Sequence, residues 1–226
     1  LNVLNNKKLA KMDLKNEDAV NQALDKIRKS SFNISKIETK RVKRNPLAPF
    51  TTSTLQQEAS NKLGFGASRT MRIAQKLYEG INIGSETTGL ITYMRTDGVQ
   101  LSSQAIDELR NEITNRHGKD YIPQTPRVYK SKAANAQEAH EAIRPTSISR
   151  DPENMSQYLD NEQLKLYELI WKRTISSQMQ SAELDETAAD ISNKDMSIIF
   201  RANGSQVYFP GFFVYRDRED GKILPK

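Results

Sequence analysis

Cysteine is absent from the 226 residues. Disulfides, thiolate nucleophiles and cysteine-ligated zinc are therefore excluded, and the composition fits a reducing compartment. Long apolar runs are missing too. Nothing approaches the roughly 20 apolar residues that span a bilayer, and no basic-then-apolar leader opens the chain, so the expectation is a cytoplasmic protein without membrane contact. There is no Walker loop, no GxGxxG turn and no HExxH zinc helix, since "HEAIR" puts Arg144 where a second zinc-binding histidine would stand. Clustered carboxylates are scarce as well. The one group, Asp217, Glu219 and Asp220 in "YRDRED", reads as a solvated turn. No repeat or low-complexity tract occurs, which argues against a solenoid or a disordered linker.

What is present is a modest basic excess, net charge +6 with an isoelectric point near 9.4. It favours a polyanionic partner without requiring one. Its distribution says more than its sum. Lys36, Lys40, Arg41, Lys43 and Arg44 face only Glu38 in their stretch, and Lys62, Arg69, Arg72 and Lys76 decorate the helical segments that follow. Each cluster reads equally as a solvated face or as a nucleic-acid contact.

The periodicity predicts an α+β chain. A helix is expected around Asn16 to Lys29, then imperfect strand alternation through Phe32, Ile34, Ile37 and Val42. "NPLAPF" punctuates the chain with two prolines. Beyond it, Ser53 with Gln56 or Thr54 with Gln57 offers a capping box for a helix ending at Gly64, and Ser68 can cap a second one running to Gly80. Ser102 or Ser103 can cap a helix ending at Gly118, "NAQEAHEAI" reads as a short helix stopped by Pro145, and "NEQLKLYELIWKRTISSQM" as a long one. The last stretch returns to strands, with Asn203 and Gly204 as a hairpin turn. A helical block between two β-rich flanks implies one domain inserted into another: residues 53–179 within a discontinuous β-rich domain of residues 1–52 and 180–226. The chain opens at Leu1, without an initiator methionine, and has the look of a segment of something longer.

Two stretches carry chemistry. "GLITYMRTDG", Gly89 to Gly98, reads as a strand in which Tyr93, Arg95 and Asp97 project to one face and Thr92, Met94 and Thr96 to the other. A phenol is a poor nucleophile toward esters but suits a phosphodiester, because the phosphotyrosine it forms conserves the energy of the broken bond. A guanidinium two residues on can clamp the non-bridging oxygens. The same residues also read as a packed tyrosine with a neighbouring arginine. In "NAQEAHEAIRPT", helical spacing would put His140 and Arg144 on one face, both within reach of one phosphate; the alternative is a surface ion-pair set of Glu138, Glu141 and Arg144.

Taken together, "PFTTSTLQQEASNKLGFGASRTMRIAQKLYEG", "GLITYMRTDG" and "NAQEAHEAIRPT" resemble, in order, the central region of the bacterial type IA DNA topoisomerases. The resemblance runs from about Pro46 to Met179. It implies that Tyr93 attacks one DNA strand and keeps its 5′-phosphate, that the other strand passes through the gap, and that resealing needs no ATP. Arg95 matches the motif arginine, His140 the histidine associated with proton handling and phosphate contact, and Asp97 an acidic neighbour. Arg144, Arg69, Arg72 and Asp97 are the further residues expected to contact DNA. Where the family commonly has serine after the aspartate, this chain has Gly98.

The resemblance also implies that the β-rich flanks form the family's arch domain, with hinges near Pro46 to Phe50 and Met179 to Leu184. It implies a Mg2+ requirement whose ligands lie outside this chain, in a metal-binding Toprim domain, and a separate gate domain. The expected partners are those domains and a single-stranded segment of supercoiled, nucleoid DNA. On this reading the chain alone is close to inactive in relaxation. The rival reading is a non-catalytic DNA-binding clamp in which the basic surface matters and Tyr93 only packs.

Overall fold

Caps and turn residues divide the chain into short elements in the computed structural model, which describes residues 1–10, 12–84, 86–130 and 140–216. In chain order the first are β1 (Val3–Leu4), β2 (Lys7–Lys8), α1 (Glu17–Arg28) and β3 (Asn33–Arg44). Then come α2 (Thr52–Leu63), α3 (Ala67–Glu79), β4 (Ile81–Asn82), β5 (Thr87–Thr88) and α4 (Ser103–His117). Last are α5 (Pro152–Met155), α6 (Asn161–Ser177), β6 (Ala182–Ser192) and β7 (Ile198–Phe209). Single 3-10 turns occur at Lys119–Tyr121 and Gly211–Tyr215. Helices and antiparallel strands thus make an α+β chain. It divides into two compact units, Leu1–Arg44 with Ala182–Pro210, and Asn45–Ser181 with Gly211–Arg216. The crossings fall at 44/45, 181/182 and 210/211, and the turn after β7 belongs to the helical unit.

The first unit is an antiparallel sheet in the order β2-β1-β7-β6-β3. Its long ladders pair Asn33 with Ser192 through Arg44 with Ala182, and Glu183 with Phe209 through Ser192 with Ile199. The edge strand β3 is exposed along nearly all its length. The basic run therefore meets acid across the ladder: Arg41 forks onto Asp185 with both bonds at 2.9 Å, Lys43 reaches Glu183 at 3.1 Å and Arg44 reaches Glu186 at 2.5 Å. Arg41 also lies over the Tyr208 ring, 3.4 Å from its centroid. Much of the charge that read as a possible polyanion contact is spent on holding the sheet.

Two expectations fail in this unit's last strands. Asn203 and Gly204 turn no hairpin; they pair with Ala188 and Thr187 inside β7. The turn is made earlier, at 193–197, where the Asn193 carboxamide oxygen accepts from Ile198 N at 2.9 Å and the Asp195 carboxylate accepts from Ser197 N at 3.2 Å. Short polar side chains supply the bonds there, as they do in Asx turns. "FPGFFVYR" is no continuous strand either, because Pro210 ends the ladder and Gly211–Tyr215 coils.

The helical unit holds the main core. Leu55, Leu77, Leu90, Ile113, Ile143, Leu166 and Ile170 are fully buried in it. α6 begins at a capping box in which Asp160 and Gln163 exchange bonds, and its buried stripe includes Tyr167 and Trp171, which donate to Arg150 O at 2.6 Å and Ile148 O at 2.9 Å. The box that starts α2 is Thr51 with Thr54, two residues ahead of the Ser53 expectation. α3 starts at Gly66 with no side-chain cap, so Ser68 lies inside the helix. Ser102 caps α4 as expected, and Gly64, Gly80 and Gly118 stop their helices.

Candidate active site

The segment Gly89–Gly98 is not a strand. It is irregular chain with bends at Leu90, Thr92, Met94 and Arg95, clamped bond by bond. Leu90 N donates to Leu77 O at 2.7 Å, Thr92 N to Arg144 O at 2.9 Å and Thr146 N to Leu90 O at 3.0 Å. The Thr52 hydroxyl at the start of α2 donates to Met94 O at 2.8 Å and accepts from Thr96 N at 2.8 Å. These tertiary bonds take the place of a ladder, and among the described residues the segment bridges only at Ile91 with Pro145. An alternation of exposure survives without the strand, held by these bonds instead of by a ladder. Met94 and Thr96 are buried while Tyr93, Arg95 and Asp97 are exposed.

His140 also departs from expectation. Residues 135–139 of "NAQEAHEAI" lie outside the described residues, and His140 to Ile143 are irregular instead of helical, with an isolated bridge at Ile143. Their donors go elsewhere: Ala142 N to Gln100 O at 2.9 Å, Ile143 N to Phe50 O at 2.8 Å and Arg144 N to the Thr92 hydroxyl at 3.0 Å. His140 and Arg144 therefore share no helix face. Arg144 is turned inward, donating through Nε to Glu141 at 2.7 Å and through Nη1 to Pro145 O at 2.9 Å. Burial works against the Glu141 carboxylate, but bonds from Ser102 and Arg144 outweigh it and hold the carboxyl below its usual range.

Tyr93 sits between two rings. Its centroid is 5.5 Å from His140, tilted by 50°, and 5.4 Å from Tyr78, edge-on at 65°. The phenol is 37% exposed, and His140 is exposed beside it. Arg95 makes no hydrogen bond or ion pair with any described residue, so its fork is available. Arg69 is not: it forms a two-pronged pair with Glu162 and lies over the Phe65 ring. That bond raises the arginine further and lowers the Glu162 carboxyl. Arg72 is exposed and lines a cavity together with Arg95.

The fold thus brings Tyr93, Arg95, Asp97 and His140 into one stretch of surface and leaves Arg144 and Arg69 engaged internally. Tyr78 and Thr52 were not legible as site residues. Their linear distance from Tyr93 hides a contact that only the packing of α2 and α3 creates. Among the described residues no ligand set for a divalent cation comes together. No group of three or more acidic or histidine side chains converges among them, and Glu141 is already taken by Ser102 and Arg144.

Residues 2–226 match the family described as DNA topoisomerase. Over 98% of its length the chain is 50% identical to DNA topoisomerase 1 of Rickettsia bellii, covering 29% of that protein. It is 47% identical to DNA topoisomerase 1 of Xylella fastidiosa over 97% of its length, covering 27% of that one. Full-length topoisomerase I from Thermotoga maritima superposes with a TM-score of 0.76 at 38% identity, over 91% of this chain and 33% of that one. The chain spans under a third of the length of the curated relatives it matches. With the family matched from end to end and the fold shared with a solved relative, the chain belongs to the DNA topoisomerase family.

Proposed function

We propose that this chain carries the nucleophile of a type IA DNA topoisomerase, Tyr93, and that the whole protein relaxes negatively supercoiled DNA by passing one strand through a break in the other. The observation that carries the reading is the exposed Tyr93 phenol, in ring contact with His140 and two residues from an unengaged Arg95. The phenolic oxygen bonds to phosphorus, the bond to the 3′ oxygen breaks, and that oxygen leaves as a hydroxyl once protonated. The 5′-phosphate stays on Tyr93. Reversal reseals the strand, so no ATP is consumed. Arg95 offsets charge on the non-bridging oxygens, and His140 stands where it can hold or pass the proton.

Mg2+, in this reading, is bound by the rest of the parent protein, since no acidic cluster converges among the described residues. The pairing of the β3 basic run with Asp185, Glu183 and Glu186 weighs against a clamp that works through that surface. Supplying the missing metal-binding portion in trans tests the proposal. The unaltered chain is expected to form denaturant-resistant DNA adducts and Tyr93→Phe none. Adducts at undiminished yield in the phenylalanine variant would remove Tyr93 from the chemistry.

A further inference from the structure

Beside the candidate nucleophile lies a cavity of about 450 Å³ between α2 and α3 whose lining is unusually rich in donors. Gln56 comes from α2; Ser68, Met71, Arg72 and Gln75 come from α3; Arg95 comes from the segment that carries Tyr93. The spacing explains the convergence, because residues 68, 72 and 75 stand four and three apart and so share one helix face. Arg69, one residue round the helix, faces away to Glu162. That neighbour decides what Arg72 can do. With Glu162 occupied by Arg69, Arg72 feels the carboxylate only through space and hydrogen bonds to no described residue. Two guanidinium forks, a hydroxyl and the Gln56 carboxamide therefore open on one concave surface, while the Gln75 carboxamide donates to Glu79 one turn along α3.

A pair of arginines that open on one concavity without a hydrogen-bonded carboxylate among the described residues suits an anion between them, and a guanidinium fork matches the oxygens of a phosphate diester. We infer that this cavity is a second phosphodiester subsite. It holds the backbone phosphate of a nucleotide next to the one Tyr93 attacks, with Arg72 and Arg95 on its oxygens and Met71 against the sugar or base. The inference rests on the reading of Tyr93 as nucleophile, which sets where the strand runs. Arg95 then spans both positions, and gripping the neighbouring phosphate aligns the scissile one.

The test is equilibrium binding of a fluorescent single-stranded oligothymidylate to the whole 226-residue chain across a salt series. Each phosphate neutralised on a single strand contributes about 0.7 to the slope of log affinity against log salt. Arg72→Ala is expected to weaken binding at low salt and reduce that slope by ~0.7, while Arg72→Lys keeps the slope. Gln75→Glu, which puts a carboxylate in the cavity without removing a cation, is expected to weaken binding as well. Both positions lie on the α3 surface, and a circular dichroism melt shows whether the helix survives.

An unchanged slope in Arg72→Ala overturns the subsite, as does absence of salt-dependent binding by the unaltered chain. A loss confined to association with the metal-binding portion also overturns it and makes the cavity a protein contact. The adduct assay fails separately: adducts with Tyr93→Phe would sink the nucleophile while leaving the salt slope as it is.

Discussion

At Gly98 the chain passes so close to its neighbour that a side chain has no room. A Cβ built there would stand 2.3 Å from His140 O and 3.1 Å from the Thr96 hydroxyl. The first contact is with backbone, which cannot swing aside as a side-chain tip can. Glycine therefore permits a close approach between the Tyr93 segment and the His140 segment. Gly98→Ser is expected to force them apart, lowering stability by the ~1–3 kcal/mol typical of overpacking and loosening the ring contact of Tyr93 with His140. Urea midpoints of the two proteins check the first effect, and adduct yield in the reconstituted enzyme the second; equal values in both would mean the backbone yields freely. Arg95 belongs to the same scale. Arg95→Ala should cost roughly 3 kcal/mol of transition-state stabilisation, with Arg95→Lys restoring only part because it lacks the planar fork. Single-turnover cleavage rates measure this, and rates indifferent to both changes would make Arg95 a bystander. The row of exposed residues was legible in the sequence because polar and apolar side chains alternate there; that it is not a strand was not, since the Thr52 and Arg144 bonds that replace a ladder come from far along the chain.

Among the elements, those written in local chemistry were readable. Ser102 before an apolar stripe and Gly118 after it bound α4, and the helical repeat of Leu164, Tyr167, Ile170 and Trp171 gives α6. The segment from His140 to Pro145 failed because its fate is decided by acceptors elsewhere: Gln100 O, Phe50 O and the Thr92 hydroxyl. A local helical preference loses to three tertiary bonds and a proline. Glu141 is the pivot of this segment, accepting from Ser102 N at 2.8 Å and from Arg144 at 2.7 Å. Its carboxyl is held below the ordinary value of 4.5 in the fold. The ionised form therefore contributes stability in full above about pH 4.5, and that contribution disappears as pH falls through the lower, folded value. Glu141→Gln is expected to be less stable at neutral pH and to lose less on acidification than the unaltered chain. Urea denaturation from pH 7 down to pH 3 follows this, and parallel curves for the two proteins would show that the carboxylate is not what holds Arg144.

On the scale of the whole molecule, the sheet unit and the helical unit are stabilised differently. Ala23, Ala182, Leu184 and Ile198 are the buried apolar residues of the first among those described, whereas the second has a continuous core. The alternation of β-rich and helical sequence carries the expectation of an insertion. Nothing in "YFPGFFVYR" announces that the chain leaves the ladder at Pro210 to join the helical unit. Gly211 makes that return possible, with φ +48° and a Cβ position 2.5 Å from both Gln180 O and Ser181 O. Beyond it Phe212 N donates to Gln180 O at 3.1 Å, and Tyr215 packs edge-on against Trp171 at 5.4 Å while sharing a 2.8 Å hydrogen bond with His117. Trp171 is the sole tryptophan, so its fluorescence reports on the helical unit alone. With so little apolar burial in the sheet unit, the two are expected to unfold at different urea concentrations, and far-ultraviolet circular dichroism should not superpose on the fluorescence transition. Gly211→Ala meets both a strained φ and two backbone oxygens, and so should lower the Trp171 midpoint while leaving the strand transition in place. If both transitions shift together, or a single one is seen by both probes, the two units are one cooperative body and the return at Gly211 is not a local latch.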